Sequence, residues 1–495
     1  MIDSLALAPR TNAAIRPWRN LRQLALALSL AAYFLCFNWG SLRVHFPLDG
    51  LGNISYYHEF SSWRLILSNF LPWRGDSRPL GALYYIPIFH FAGLNPLPYQ
   101  AVLLAILLAN VYWVYRFARE LGAGEVAAGL AALVSCYHAG IANLYYNAAF
   151  VFDALCCFFY LATLVYYLRV RNRGHILSTP QTAIFLLLFL CALNSKEMAV
   201  SVPPMVLVYE WIYHRPANWT TAALLTWIKG PARVSLIAGV LDLLDIYGKV
   251  SGPTAMTNSI SYHPVFTLAR IHDFQRLAMQ ELFCSWAWTP GWRQILELWA
   301  VLALLAWWNA RRRPVLPFLF WFLILVPLPI EFLIGKSEAC LVLLMVGGAI
   351  FVAVLFADAV EAFAHFLARE FRLPAVGRPL VVALMVSSAV FLWVREQRSL
   401  RLSIGGAPMT SLGFESWDLI QQMRASSFRP RPGSSVAILE DPFVDRLDMY
   451  RIGRLWLRDR TVNLHVAGQG PLSPEALAKM DYVFTIENRK LIQLK

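Results

Sequence analysis

The feature that most limits what this chain can become is a series of apolar runs, broken at intervals by clusters of arginine. Many of the runs approach the roughly 17–25 residues that a helix needs to cross a bilayer. They do not alternate polar with apolar residues, as the strands of a membrane β-barrel do. The reading is an all-α polytopic membrane protein. About eleven spans are expected by apolar length, near residues 23–39, 98–117, 126–144, 148–168, 182–193, 198–213, 234–247, 294–310, 315–334, 339–357 and 380–394. Charged residues make up 15% of the chain, against about a quarter in a soluble domain.

The net charge of +13 raises nucleic acid as a partner only if the charge is spread over a soluble surface. Here it sits between apolar blocks, where it orients spans. Placing the N-terminus in the cytoplasm puts Arg116, Arg119, Arg169, Arg171, Arg173, Arg215, Lys229, Arg233, Arg311, Arg312, Arg313, Arg369, Arg372 and Arg378 all inside. The short outer loops then hold only Lys196 and Lys336, two cations that run against the bias. The first run follows Arg10, Arg16, Arg19 and Arg22 with no small-residue cleavage site, so it reads as a retained anchor. Five of the seven cysteines lie inside apolar runs, with no paired spacing for a metal or a disulfide framework.

Three larger segments face outward in this topology. Residues 40–96 form the first, with helices expected over 60–70 and 80–91 along the membrane interface, anchored by Trp63, Trp73, Tyr84 and Tyr85. Residues 251–292 form the second. The third is the tail, residues 396–495 beyond a transmembrane domain of 1–395. It loses the long apolar runs and reads as a small periplasmic α/β domain: strands at 435–439 and 461–466, a helix at 444–457, and a hairpin of 482–486 with 490–494.

Ionisable residues beside the membrane on one face are the candidates for chemistry. They are Asp49 in Val44-His45-Phe46-Pro47-Leu48-Asp49-Gly50, Arg78 before Pro79, Asp153 at the outer end of the fourth span, Lys196-Glu197, and Lys336. Cations suit a leaving phosphate, on which negative charge grows as its bond breaks. A carboxylate within hydrogen-bond reach suits an attacking hydroxyl. Each residue also has a plainer role: a solvated loop acid, a headgroup contact, a loop ion pair, a structural acid in a bundle. Asp242 and Asp245 share a helix face and fit a structural or cavity-facing role. His138, His263 and His272 are scattered and fit polar packing.

Three stretches carry a resemblance. They are Arg78-Pro79-Leu80 followed by Phe91 to Gln100, then Leu193-Asn194-Ser195-Lys196-Glu197, then Pro329-Ile330-Glu331-Phe332 followed by Lys336-Ser337-Glu338. In this order the chain resembles the GT-C glycosyltransferases, and is similar to bacterial relatives of the protein O-mannosyltransferases. The resemblance covers roughly the first 395 residues. It implies an enzyme of a bacterial inner membrane that takes a sugar from a polyprenyl-phosphate carrier and passes it, with inversion, to a protein, lipid or glycan acceptor at the periplasmic face. Membrane lipid is then the other partner, and nucleic acid is not one. It implies Asp49 as the catalytic base, and Arg78, Lys196, Glu197, Asp153 and Lys336 as residues that hold or shape the donor site. Gly50 stands where the family often has a second acid, so no metal ligand set and no cofactor is assigned; one carboxylate is a poor divalent site. Lys336 and Cys340 stand where Arg and Tyr are usual. A carrier or flippase of lipid-linked substrates, and a GT-C-like scaffold without activity, are the alternatives; the one-sided placing of the polar residues argues against a transporter with its site at the midplane.

Overall fold

The computed structural model describes residues 17–59, 78–216, 218, 220, 221–252, 255–258, 262–372, 374, 376–403, 413–443 and 448–495. The expected helix over 60–70, with Trp63 and Trp73, lies outside the described residues.

The principal helices are α1 (Pro17–Asn38), α2 (Leu48–Glu59), α3 (Pro79–Ala92), α4 (Pro96–Glu120), α5 (Glu125–Cys136), α6 (Val151–Arg171), α7 (Thr179–Leu193) and α8 (Val202–Tyr213). They continue with α9 (Arg233–Ser251), α10 (Leu268–Leu282), α11 (Trp292–Asn309), α12 (Val315–Leu325), α13 (Val342–Glu370) and α14 (Gly377–Ser403). Their ends follow local chemistry. Asn95 caps α4 by accepting from the Leu97 N–H, with Pro96 at the first turn. Ser178 and Gln181 close a reciprocal capping box on α7.

Five helical segments among the described residues are long and apolar enough to cross a membrane: 21–43, 96–120, 148–171, 338–370 and 377–403. Shorter apolar helices cover 125–136, 179–193 and 315–331. Helix α6 packs between α4 and α7, and α13 lies against α5 and α12. Leu24, Leu28, Val352, Leu380, Leu384, Trp307 and Trp308 remain exposed on the outside, which suits a lipid-facing surface.

Two expectations are corrected. The run at 126–144 is not one helix. It stops at Cys136, and short turns at Ala139–Ile141, Asn143–Tyr146 and Ala148–Phe150 lead into α6. Here His138 Nδ1 accepts from the Gly140 N–H at 3.2 Å, a local bond that competes with the helix ladder. Tyr84 and Tyr85 are not interfacial anchors either. Both are buried, their hydroxyls donating to the carbonyls of Tyr99 (2.6 Å) and Ala148 (3.1 Å). A buried tyrosine whose hydroxyl finds a carbonyl gains the burial of its ring at little cost.

The tail forms a four-stranded sheet of β1 (Ser435–Ile438), β2 (Asn463–Val466), β3 (Tyr482–Glu487) and β4 (Lys490–Gln493), in the order β2-β1-β3-β4. β1 runs parallel to β2 and β3, and β4 closes an antiparallel hairpin on β3. Its turn residues Asn488 and Arg489 both have positive φ (51° and 61°), which is the two-residue turn matched to strand twist. Helix α15 (Phe414–Ala425) and helix α16 (Asp448–Leu457) complete the tail. Met449, Ile452, Leu455 and Trp456 of α16 are buried, a helical spacing that gives the sheet one apolar face.

The tail seats on the first outer segment. Trp417 stacks on His45 with ring centroids 4.2 Å apart, and Ser416 donates to the Phe46 carbonyl at 3.1 Å. Gly413 has φ +79°, and a Cβ there would lie 2.4 Å from the Phe46 carbonyl oxygen. Only glycine allows both that conformation and that approach. Helix α16 packs along α2. The strand-like stretch leading into Asp49 is therefore clamped by the tail.

Candidate active site

The candidate site is built where α3 and α6 begin and α9 ends, and where two loops cross between them. Arg78 precedes α3, with Pro79 at the first helical position. Its carbonyl accepts from the Tyr57 hydroxyl at 2.7 Å. Its Nη2 donates to Glu197 Oε1 and to the Tyr262 hydroxyl, both at 2.8 Å. The guanidinium carbon lies 5.1 Å from the Phe152 ring centroid. Gly81, one turn on, makes this packing possible: a Cβ there would stand 2.3 Å from a Phe152 ring carbon and 2.5 Å from the Tyr57 hydroxyl. Arginine carries five N–H donors, and Arg78 Nε is buried with no partner among the described residues.

Lys196 and Glu197 follow α7 in the short turn that opens α8. Lys196 Nζ reaches Asp153 Oδ1 at 2.5 Å and Cys340 Sγ at 3.2 Å. Asp153 sits in the first turn of α6, where the helix dipole favours a carboxylate. Burial, the largest single influence, lowers the Lys196 pKa, but Asp153, Cys340 and Glu197 together overcome it and hold the ammonium charged. Burial likewise opposes a charged Glu197, yet Arg78, Lys249 and Lys196 together hold its carboxyl well below the usual range. Lys249, near the end of α9, bridges to Asp245 at 3.1 Å.

Lys336 arrives from the opposite side. The backbone of Val265 donates to the Phe332 carbonyl at 2.8 Å, tying the second outer segment to the late outer loop. Lys336 Nζ then lies 3.4 Å from the Tyr262 ring centroid. Lys336 forms no ion pair with a carboxylate among the described residues. Burial pushes its pKa down to about 8, with Glu197 and Cys340 pulling the other way and Lys196 and Arg78 adding to the fall.

Four of these cations, Arg78, Lys196, Lys249 and Lys336, thus face three carboxylates, Asp153, Glu197 and Asp245. Arg78, Lys196, Glu197, Asp153 and Lys336, singled out in the sequence, lie in this one cluster. Asp49 does not touch it. It is exposed in the first turn of α2 and makes no hydrogen bond or ion pair among the described residues. Its helix face leads to the cluster: Asp49, Asn53 and Tyr57 recur every four residues. Asn53 Nδ2 donates to the Tyr85 hydroxyl at 3.3 Å, and Tyr57 stacks on Tyr85 at 5.6 Å. Burial raises the Tyr85 pKa; Asn53 opposes the rise, Tyr99 and Asp49 add to it, and Arg78 opposes it. Tyr85 therefore feels Asp49 and Arg78 from either side. Gly50 is not demanded by space, since a Cβ there would meet Pro47 at an ordinary 3.6 Å.

Two members escaped the sequence reading. Lys249 could have been found, because it stands four residues after Asp245 on one helix face. Tyr262 left no local signal; only the loop crossing brings it to Arg78. Among the described residues, no group of three or more His, Cys, Asp or Glu side chains is placed to hold a metal ion.

No protein-family model matches the sequence, and neither does any curated protein. Solved structures of the oligosaccharyltransferase of Archaeoglobus fulgidus do match. The apo form gives a TM-score of 0.49 at 13% identity, covering 90% of this chain and 65% of that one. The form tethered by a disulfide bond to an acceptor peptide containing the NVT sequon gives 0.50 at 12%, covering 90% and 64%. The chain thus spans a little under two thirds of the archaeal chain's length. At this identity the likeness is one of fold: over 90% of its own length, the chain folds like the tethered archaeal oligosaccharyltransferase.

Proposed function

We propose that this chain is a membrane glycosyltransferase that moves a sugar from a polyprenyl-phosphate carrier to a hydroxyl acceptor at the outer, periplasmic face of a bacterial inner membrane. The observation that carries the reading is the cationic cluster at the outer helix ends. It holds a buried Arg78 Nε with no partner among the described residues, and a Lys336 ammonium that lies over the Tyr262 ring and forms no ion pair among the described residues. Such a cluster has capacity left for an anion that belongs to neither the protein nor the solvent.

In this reading the lipid phosphate lies against Arg78 and Lys336. As the bond from the sugar carbon to the phosphate oxygen breaks, the electron pair stays on the phosphate, where these fixed cations oppose the growing charge. Losing one such preorganised donor costs about 10²–10³ in rate. Lys196 keeps its charge through Asp153, and Glu197 fixes the Arg78 fork; both shape the pocket. Asp49, exposed at the head of α2, takes the proton of the attacking hydroxyl. Direct attack from the side opposite the phosphate inverts the sugar carbon, and no covalent sugar–enzyme intermediate is needed. The fold shared with an oligosaccharyltransferase adds support at the level of architecture.

The test is transfer by purified protein in nanodiscs, with a radiolabelled polyprenyl-phosphate hexose and a panel of hydroxyl acceptors. The expected result is labelled acceptor with release of polyprenyl phosphate. Movement of intact donor between leaflets of proteoliposomes without release would overturn the reading in favour of a flippase.

A further inference from the structure

A second polar cleft lies outside this cluster, where the tail meets the first outer segment. It encloses about 220 Å³ between α2, α3 and the residues that follow α16. Tyr57, His58, Tyr85 and His90 line it from one side, and Arg458 and Arg460 from the other. The local chain explains why the arginines point there. Helix α16 turns Met449, Ile452 and Leu455 inward; Arg458 follows its last residue with φ +58° and so leaves the helical path, while Arg454 turns back to the Val462 carbonyl at 2.7 Å. Arg458 lies with its guanidinium 5.6 Å from the Phe89 ring centroid, and Arg460 donates to the His58 carbonyl. No Asp or Glu lines the cleft among the described residues.

From this geometry we infer that the cleft is a binding site for a phosphate group, with Arg458 and Arg460 as its cationic arms and His58 and His90 as further donors. This goes beyond the transfer reading and does not depend on it. Guanidinium forks match the oxygens of phosphate in pairs. Aromatic walls exclude water beside them, which strengthens each contact. The field of the cleft is already positive. Burial lowers the His58 pKa, Arg460 lowers it further, and Arg454 and Arg458 add to this against one backbone bond. Size narrows the ligand. A volume of about 220 Å³ is below the roughly 300–1,000 Å³ of sites for drug-sized ligands, so a phosphate or a headgroup fits and an oligosaccharide does not. Tyr57 is shared: its ring lines the cleft while its hydroxyl holds the Arg78 carbonyl. A phosphate bound here therefore sits one aromatic side chain away from the catalytic cluster.

The phosphate could belong to a lipid headgroup or to a soluble molecule, and two arms separate these sources. Both use the full chain carrying Arg78→Gln, which removes the other candidate phosphate site. In the first arm, inorganic phosphate is titrated calorimetrically into protein in neutral phosphatidylcholine nanodiscs. In the second, the affinity for a fluorescent phosphatidylglycerol is measured in the same nanodiscs. Binding in either arm should weaken about tenfold with Arg458→Gln, the worth of one charge-assisted hydrogen bond. Arg458→Lys should restore most of it, because charge survives and only the fork is lost. The ligand-free melting temperature of each variant shows that the fold is kept. Arg458-dependent binding in the first arm assigns a soluble phosphate, and in the second arm alone a headgroup. Absence of binding in both, or binding indifferent to Arg458, overturns the site.

Discussion

Buried charge occurs at both ends of this bundle, and the two ends are built differently. At one end, the inner one in the proposed topology, Arg171 meets Glu210 through two parallel bonds, Nε to Oε1 at 2.6 Å and Nη2 to Oε2 at 2.9 Å. The Tyr167 hydroxyl adds a third bond to Glu210 at 2.7 Å, and Arg171 Nη1 donates to the His175 carbonyl. The Glu210 side chain is 0% exposed, so the pair is closed. At the other end, the outer one in that topology, Arg78 Nε has no partner among the described residues, and Lys336 lies over a ring without an ion pair among them. Burying unmet charge is costly.

Substitutions at the two ends should have separable effects. The largest effect is expected at Asp49. Asp49→Asn should lower sugar transfer by about 10²–10⁴, the worth of a general base, with no change in melting temperature because the carboxylate holds nothing. Next comes the inner pair. Glu210→Gln should cost about 3–5 kcal/mol of stability, since it leaves Arg171 buried and uncompensated; chemical denaturation of the detergent-solubilised protein reads this. Donor affinity of the folded fraction should not change. Smaller still is Arg78→Lys, which keeps the charge but loses the planar guanidinium whose Nη2 holds both Glu197 and Tyr262. Donor affinity should fall about tenfold, as read by equilibrium binding.

The smallest expected effect is a pH dependence. With its pKa near about 8, Lys336 is charged below that pH and neutral above it. Donor affinity should therefore weaken a few-fold as pH rises through about 8, one charge being lost from the site. A Lys336→Arg variant, charged throughout, should hold a flat profile over the same range.

Much of this architecture can be read from residue order alone, for identifiable reasons. Apolar length and arginine placement act locally, so helices such as α4 and α13 are visible in the chain. The tail strands are short runs of strand-forming residues bounded by turn residues, so 435–438 and the hairpin at 482–493 are visible too. What sequence hides is contact between distant segments. The stop at Cys136 depends on a bond between His138 and Gly140 inside an apolar run. Tyr84 and Tyr85 look like interfacial tyrosines until the carbonyls of Tyr99 and Ala148 are seen to take their hydroxyls. The candidate site divides in the same way. Arg78, Lys196, Glu197, Asp153 and Lys336 stand out because charge beside a membrane is rare. Tyr262, which joins Arg78 to Lys336, is one tyrosine among 20 and carries no such mark.

We propose that the outer cluster binds a lipid phosphate and the inner pair does not. The direct measurement is the equilibrium affinity for polyprenyl phosphate of the wild-type chain, Arg78→Gln and Arg171→Met, each in neutral nanodiscs. A loss of about tenfold or more for Arg78→Gln, with the folded fraction of Arg171→Met binding as the wild type does, is the predicted result. Equal binding by the wild type and Arg78→Gln would contradict it.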